Sequence, residues 1–246
     1  MSDHSSRDSL YATPLGHIDG FSFNADVVRV FPDMLKRSIP GYQTIIAQTG
    51  LLAERYARAQ TRLYDLGCSL GATAFAMGPA ARSQMDCEII AVDNSPAMIT
   101  QCQTHLAASP DRDRIHLLES DINGVAIERA SVVAMNFTLQ FIPPTERQAL
   151  MARIGDGLLP GGALVLPEKI RFEDARQQAL HTDMYHAFKQ ANGYSELEIS
   201  QKRTALENVL IADTLAMHRE RLMQAGFSSV EVWFQCFNFA SMIALK

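Results

Sequence analysis

The chain has 246 residues, a formal net charge of −5 at pH 7, 47% hydrophobic residues and 20% charged residues. These values predict one globular α/β domain with a sizeable core. The sequence lacks a polybasic run and any membrane-length apolar stretch, so we expect no direct contact with nucleic acid or membrane. Four scattered cysteines without a Cys-x-x-Cys pair, and a polar start without a signal-peptide core, predict a cytoplasmic protein with reduced thiols.

The N-terminal quarter predicts a tail and two helices. Residues 1–26 are polar and predict a flexible tail. Residues 27–42 predict a short helix that is broken by Pro32 and followed by a loop ending at Tyr42. Apolar residues at roughly helical spacing then predict a helix up to Tyr56.

From residue 62 onward, short apolar runs alternate with helical segments. The predicted strands span residues 62–67, 88–93, 115–121, 131–137 and 163–169. The predicted helices between them span residues 71–82, 95–108 and 145–158. Ser95 is the expected N-cap of the second of these helices, with Pro96 at its first position. This alternation is typical of a doubly wound, mostly parallel sheet.

The pattern changes after residue 169. Residues 170–212 predict a helical insertion that starts with a long amphipathic helix over 173–193 and continues helical. The apolar residues on one face of the long helix must be buried, either against the sheet of the same chain or against a second subunit. A helix from Asp213 to Gly226 and two strands over 230–246 follow, which predicts an antiparallel strand in the sheet edge.

Polar residues stand where the predicted strands end, which is where open α/β sheets bind ligands. In chain order these positions are Asp65 to Gly71, Asp93-Asn94, Ser120-Asp121-Ile122, Asn136 and Glu168-Lys169. The two glycines of the first turn, Gly67 and Gly71, are compatible with a tight βα turn alone. They are also compatible with a nucleotide-like ligand lying against the turn.

The residues of the first turn bear on which ligand this is. Ser69 occupies the position of the middle glycine in a Gly-x-Gly-x-x-Gly dinucleotide fingerprint, so a pyrophosphate cradle is not supported. Asp65 would repel a pyrophosphate and attract a cationic ligand such as an aminoacyl ammonium. Asp93 follows a strand 26 residues after Gly67 and suits hydrogen bonds from ribose hydroxyls. The alternative is that Asp93 merely caps the helix near Pro96.

This combination resembles the first motif of class I S-adenosylmethionine-dependent methyltransferases, with Ser69 where many members carry glycine. The resemblance implies a single Rossmann-like domain over residues 1–246, with a mostly parallel seven-stranded sheet. It further implies that the Gly67–Ser69 backbone faces the methionine part, Asp93 the ribose, and Asn136 the region near the sulfonium. The cofactor-binding residues implied are Tyr42, Gly67, Cys68, Ser69, Asp93, Asn94, Asp121, Ile122, Asn136 and Arg203.

Several longer stretches are similar to the carboxy-S-adenosyl-L-methionine synthase family, and together they cover nearly the entire chain. They are FPDMLKRSIPGY, YDLGCSLGA, VDNSPAMI, NFTLQF, GGALVL, FKQANGYSELEISQKR and WFQCFNF. Pro167 departs from the serine expected there but leaves the site motifs intact. The resemblance implies S-adenosyl-L-methionine as substrate, carboxy-S-adenosyl-L-methionine as product and no metal. The second substrate implied is prephenate, which gives up a carboxyl group and a hydroxide and becomes phenylpyruvate. The departing hydroxide serves as the base and leaves as water.

The same resemblance implies roles for individual residues and partners. Arg203 is the implied catalytic residue, because a guanidinium grips a carboxylate bidentately, with Lys202 as the fallback. Both side chains are also compatible with a solvated helix surface. Tyr42 matches a cofactor-contacting tyrosine, or else anchors the N-terminal segment. A homodimer is implied, in which Arg203 serves its own pocket or that of the neighbouring subunit.

The product would supply a separate enzyme, a tRNA uridine carboxymethyltransferase that acts on a hydroxylated wobble uridine. Three other functions stay open at this point. The first is a conventional methyltransferase that acts on a small molecule. The others are a non-enzymatic carrier of the cofactor and, more distantly, a nicotinamide dehydrogenase.

Overall fold

The computed structural model describes residues 7–246. Its strands are β1 (Arg62–Leu66), β2 (Glu88–Asp93), β3 (Ile115–Glu119), β4 (Ala130–Ala134), β5 (Leu158–Lys169), β6 (Ser229–Cys236) and β7 (Phe239–Leu245). Its α-helices are α1 (Ala25–Ser38), α2 (Tyr42–Tyr56), α3 (Ala72–Ser83), α4 (Pro96–Ala107), α5 (Arg147–Gly157), α6 (Ala175–Ala191), α7 (Glu196–Leu206) and α8 (Leu215–Gln224). None of the helices within this range is long and apolar enough to cross a bilayer.

The strands form one sheet in the order β3-β2-β1-β4-β5-β7-β6. Strands β1 to β5 run parallel, whereas β7 pairs antiparallel with both β5 and β6. The predicted mostly parallel seven-stranded sheet with an antiparallel terminal strand is therefore confirmed. The strand order reverses between β1 and β4, and such a switch point leaves a crevice beyond the carboxyl ends of the strands.

The central strands β1 and β4 are buried on both faces of the sheet. Successive side chains of a strand point to opposite faces. Tyr64 and Leu66 of β1 join one apolar cluster with residues of α5 and α8. Leu63 joins a second cluster, with residues of α2 and α3, on the other face. Helices on both sides thus hold the central strands and fix the positions of their carboxyl ends.

Helix α1 runs through Pro32 without a break, so the predicted interruption is wrong. The ring removes one backbone hydrogen bond, but Pro32 itself is exposed. The opposite side of the helix packs Val30, Phe31 and Met34 against Met98 of α4. This apolar packing offsets the lost hydrogen bond and holds the helix together.

The C-terminal half differs from the prediction in two places. Residues 159–162, expected to lie between a helix and a strand, form part of β5, where the register against β4 shifts. The predicted continuous helical insertion is two helices. Gly193, at φ +83°, separates α6 from α7, which begins with a capping box between Ser195 and Glu198.

The predicted flexible tail spans residues 1–26, of which residues 1–6 lie outside the described residues. Residues 7–24 contain no helix or strand, and α1 begins at Ala25. The Asp8 side chain is 2% exposed. Gln201 of α7 donates hydrogen bonds to the backbone oxygens of Tyr11 and Thr13, both at 2.9 Å. Residues 7–15, here called the N-terminal strap, therefore pack on α1 and α7.

Candidate functional site

The turn between β1 and α3 is held by backbone hydrogen bonds and close packing. Gly67 and Gly71 adopt φ values of +83° and +87°, which L-residues rarely adopt. The amides of Gly67 and Cys68 donate to the Val92 oxygen at 2.8 and 2.9 Å. A Cβ atom on Gly67 would lie 2.3 Å from the Thr138 hydroxyl oxygen. The turn therefore requires glycine at position 67 for both its conformation and its close contact.

Asp93, at the end of β2, links this turn to the start of α4. One carboxylate oxygen accepts from the Ser69 amide at 2.8 Å, and the other accepts from the Ser95 amide at 2.9 Å. Ser95 caps α4 as predicted, by accepting from the Met98 amide, so Asp93 is not the cap. Burial raises the pKa of Asp93, and the amide hydrogen bonds oppose that effect. The backbone amide of Asn94 also contributes a hydrogen bond to this carboxylate. A carboxylate has about four acceptor positions, so Asp93 keeps capacity to accept a hydrogen bond from a ligand.

Asp65, at the end of β1, is fully buried, and one of its oxygens has no hydrogen-bond partner among residues 7–246. Its other oxygen accepts from the Ala74 amide at 2.9 Å. Burial raises the pKa of Asp65 to about 7. Asn136 follows β4 and donates to the Thr73 hydroxyl, while its own side-chain oxygen is likewise buried without a hydrogen bond in the described part of the chain. Buried acceptors are nearly always satisfied, so two of them at adjacent strand ends indicate a ligand that carries donors or positive charge.

Tyr42 begins α2 and lies against the same strand ends. Burial, followed by the nearby Asp65 carboxylate, raises the pKa of Tyr42. Its ring centroid is 6.5 Å from that of Phe137, a residue held at a left-handed φ of +54°. The structure therefore brings together Asp65, the glycine turn, Asp93, Asn136 and Tyr42. We call this group the strand-end site.

The remaining predicted cofactor residues occupy the outer side of the crevice. Asn94 is exposed beside Asp93. Asp121 follows β3, is exposed and accepts from the Asn123 amide at 2.7 Å. Ile122 is 7% exposed and packs in the core. Asp121 and Ile122 thus follow the strand two positions from β1, where the far end of an extended nucleoside would lie.

Arg203 lies away from these residues. It is exposed on α7 and lines a cavity of about 280 Å³ between β5, α6 and α7. Neither the glycine turn nor Asp93 lines this cavity. Lys202 also lines it, but its ammonium group is 3.6 Å from Asp8 and donates to the Ser38 hydroxyl at 3.3 Å. Lys202 is therefore already neutralised within the chain.

A layer of aromatic rings separates the cavity from the strand-end site, and the sequence analysis did not identify it. The Phe137 ring is 6.0 Å from that of Phe239, which is 5.0 Å from the Tyr185 ring that lines the cavity. Glu168 was predicted only as a strand-end position. It is 1% exposed and accepts from the amides of Leu139 and Gln140, so it anchors the loop after β4. The aromatic spacing in WFQCFNF was the available signal for this layer.

Known proteins share this architecture. A family model described as a methyltransferase domain matches residues 63–162. An O-methyltransferase family protein from Burkholderia thailandensis has a TM-score of 0.64 at 17% identity, over 91% of this chain and 60% of that one. Human N-acetylserotonin methyltransferase, in complex with SAM, has a TM-score of 0.60 at 16% identity, over 90% and 55%. The fold is that of the class I S-adenosylmethionine-dependent methyltransferases.

Relatives of much higher identity narrow this class. The carboxy-S-adenosyl-L-methionine synthase of Geobacter sp. (strain M21) is 57% identical over 240 residues, with 97% of this chain and 98% of that protein covered. Those of Stutzerimonas stutzeri (strain A1501) and Escherichia coli O17:K52:H18 are 54% and 52% identical over 242 residues, with 97% and 98% of this chain covered. The chain belongs to the carboxy-S-adenosyl-L-methionine synthase family, which confirms the resemblance found in the sequence.

Proposed function

We propose that the protein converts S-adenosyl-L-methionine and prephenate to carboxy-S-adenosyl-L-methionine, phenylpyruvate and water. The observation that carries this proposal is the identity of 52–57% to synthases of that name over nearly the whole of both chains. The conventional methyltransferase alternative rests on a domain model that matches residues 63–162 and on structures that are 14–19% identical. Such low identity supports a shared fold and does not specify a reaction.

The strand-end site fits S-adenosyl-L-methionine. S-adenosyl-L-methionine carries two cationic groups, a sulfonium and an ammonium. The unpaired side-chain oxygens of Asp65 and Asn136 are acceptors of the kind that such groups need. The Gly67–Ser69 backbone would face the methionine part, and Tyr42 would cover it. Further along the nucleoside, the ribose and adenine would be held by Asp93, Asn94, Asp121 and Ile122. When bound, the molecule supplies an S-methyl carbon that is acidic enough to exchange a proton for a carboxyl group.

The proposed reaction balances without a protein base. In prephenate, the bond between the ring and its carboxylate breaks, and the bond to the ring hydroxyl breaks as the ring becomes aromatic. A carbon–carbon bond forms between the carboxyl carbon and the S-methyl carbon, and the proton lost there combines with the departing hydroxide as water. The protein has to position the two molecules and neutralise the new carboxylate, and we assign the second task to Arg203.

We further propose a homodimer. Leu180 of α6 is 57% exposed, and Ala179 and Ala187 are exposed beside it. An apolar helix face of this kind is typical of a subunit interface. In the dimer, the exposed Arg203 has two pockets in which to act, that of its own subunit and that of its neighbour. The product would supply the carboxymethyl group for hydroxylated wobble uridine in the cytoplasm, through a functional link to the tRNA uridine carboxymethyltransferase.

Product analysis tests the proposed reaction. The purified protein is incubated with S-adenosyl-L-methionine and prephenate, and the nucleosides are separated and weighed. We expect a nucleoside heavier than the substrate by one carbon dioxide, and a loss of about 100-fold or more in its rate of formation in Arg203→Ala. Arg219→Ala, at an exposed arginine of α8, is the matched control. S-adenosylhomocysteine as the sole product would favour the methyltransferase, and no turnover would favour the carrier.

A further inference from the structure

Cations predominate among the charged residues that line the cavity beside Arg203. It lies where β5 ends, between α6 and α7, and has a volume of about 280 Å³. The charged residues that line it are Lys169, Arg171, Lys189, Lys202, Arg203 and Glu207, with Glu207 the single acid among them. A concave surface with this charge balance attracts anions and holds them in a partly dehydrated setting. We call it the cationic cavity.

Lys189 is the most unusual member of this group. It is 5% exposed, and it is the one buried residue of α6, a helix whose other residues are at least partly exposed. Lysine is almost never fully buried unless it is paired. Within residues 7–246, no carboxylate lies within ion-pair distance of Lys189 or of Lys169. Two cations therefore face the same cavity without a counter-charge.

Contacts within the chain compensate these charges only in part. The ammonium groups of Lys189 and Lys169 lie 4.6 and 5.2 Å from the centroid of the Tyr185 ring, and such cation–π contacts are weaker than a direct ion pair when the cation is dehydrated. Burial first, and then the charges of Lys202, Lys169 and Arg203, lower the pKa of Lys189 to about 7. An anion in the cavity would remove this penalty. Lys202 shows the contrast, because Asp8 already pairs with it.

The position of the cavity suits a second substrate. Tyr185 packs on Phe239, and Phe239 packs on Phe137 beside Tyr42 of the strand-end site. An anion over Tyr185 would thus be one aromatic layer away from a nucleoside in the strand-end site. Phenyl rings also offer a surface for an apolar six-membered ring. The cavity therefore combines positive charge with an aromatic wall, which matches a carboxylate attached to a ring.

We propose that Lys189 and Lys169 bind the side-chain carboxylate of the second substrate, the one that remains on the molecule after carboxyl transfer. The identity of that substrate as prephenate rests on the proposed function. Prephenate carries two carboxylates, of which one is transferred and one is retained in phenylpyruvate. The two lysines hold the retained carboxylate and so leave the transferred carboxyl group free to move. This division assigns Arg203 to the new carboxylate and the lysines to the old one.

Steady-state kinetics of Lys189→Met and Lys169→Met test the assignment. Each change keeps most of the side-chain length and removes the charge. We expect the KM for prephenate to rise about tenfold or more, which corresponds to about 1.4 kcal/mol. The KM for S-adenosyl-L-methionine should stay within about twofold, because the lysines do not line the strand-end site. Lys189→Arg should recover most of the affinity, and Arg219→Met, at an exposed position of α8 that does not line the cavity, should match the wild type.

Two further measurements make the outcomes distinguishable. Thermal unfolding of Lys189→Met should show an unchanged or higher Tm, since a buried unpaired cation costs stability, whereas a purely structural lysine would lower it. Calorimetric titration with prephenate alone tests the carboxylate site independently of turnover. If the wild type makes no carboxylated product, only the proposed function is overturned. An unchanged KM for prephenate, or unchanged prephenate binding, in both methionine variants would overturn the assignment of the lysines.

Discussion

The strand-end site and the cationic cavity are built in opposite ways. The first presents carboxylates, Asp65 and Asp93, held by backbone amides at 2.8–2.9 Å. The second presents long cationic side chains, Lys169 and Lys189, supported by an aromatic ring. Phe137 belongs to the aromatic layer that lies between the two regions.

This contrast in charge would allow one subunit to bind two substrates of opposite charge, as the proposed function requires. A cationic nucleoside is favoured by the carboxylates at the strand ends, and an anionic second substrate is favoured by the lysines of α6 and β5. The two regions also differ in rigidity. Backbone turns with fixed conformations form the first, whereas the second depends on how α6 and α7 pack. Changes in the first should therefore have the larger effects.

The largest effect is expected for Gly67→Ala in the strand-end site. The new Cβ would meet the Thr138 side chain at 2.3 Å, in addition to the strain at φ +83°. We expect the affinity for S-adenosyl-L-methionine, measured by calorimetry, to fall about 100-fold or more, and the protein to be less stable. Gly161→Ala separates the two causes, because φ is +74° there and no atom lies within 4 Å of the new Cβ.

In Gly161→Ala the left-handed conformation alone should lower the unfolding free energy, by roughly 1–2 kcal/mol in a denaturant titration. The affinity of this variant for S-adenosyl-L-methionine should not change. Equal losses of affinity in the Gly67 and Gly161 variants would mean that the close approach at the turn is unimportant. The strand-end site would then not be the more rigid of the two regions.

The second largest effect is expected from the charge of the Asp65 carboxylate, which depends on pH. The folded pKa of Asp65 is about 7, against an ordinary value of 3.8. Between these pH values the folded state binds more protons than the unfolded state, so the free energy of unfolding falls as pH rises from about 4 to about 7. Asp65→Asn removes this loss, and we therefore expect the ligand-free variant to have a higher free energy of unfolding than the wild type at pH 8.

The same variant should bind the cationic nucleoside about tenfold more weakly at pH 8, a difference of about 1.4 kcal/mol. In the wild type, affinity should rise with pH through about 7, as the carboxylate forms, and this rise should be absent in Asp65→Asn. Calorimetric titrations at several pH values measure both effects. Asp113→Asn, at an exposed position away from the site, is the control. Wild-type affinity in Asp65→Asn would show that the buried charge does not serve the ligand.

The sequence predicted these two regions to very different degrees. The central strands are marked by local apolar runs, and the carboxyl ends of parallel strands meet at one edge of a sheet. The proximity of Asp65, Gly67 and Asp93 therefore followed from the pattern alone. The same pattern placed Asn136 at a strand end, whereas family resemblance added Tyr42. The roles of all these residues in binding remain predictions.

The cationic cavity could not be predicted in the same way. Lys189 lies on an amphipathic helix, where a lysine normally marks the solvated face. Its burial depends on how α6 packs against the end of β5, which is a tertiary contact without a local signal. The helix through Pro32 is a similar case, because packing against α4 outweighs the breaking tendency of a proline. Local rules thus failed where contacts distant in sequence decide the structure.

The smallest effect is expected where the N-terminal strap meets the cationic cavity. Asp8 accepts a hydrogen bond from the Tyr194 hydroxyl and lies 3.6 Å from the Lys202 ammonium. Burial lowers the pKa of Lys202 to about 8, and Asp8 opposes that effect. In Asp8→Asn the pKa should fall further, so that Lys202 loses its proton near neutral pH, and the net charge of this pair of side chains stays at zero.

We expect the KM for prephenate to stay within about twofold of the wild-type value, a difference below about 0.5 kcal/mol, because Asp8 already neutralises Lys202 and Lys202 is not part of the proposed carboxylate site. The unfolding free energy should fall by about 1–3 kcal/mol, and the KM for S-adenosyl-L-methionine should not change. Asp19→Asn, at the exposed Asp19 beside His17, should match the wild type in all three quantities. A change confined to the KM for S-adenosyl-L-methionine would contradict the separation of the two regions, since it would tie the strap to the strand-end site.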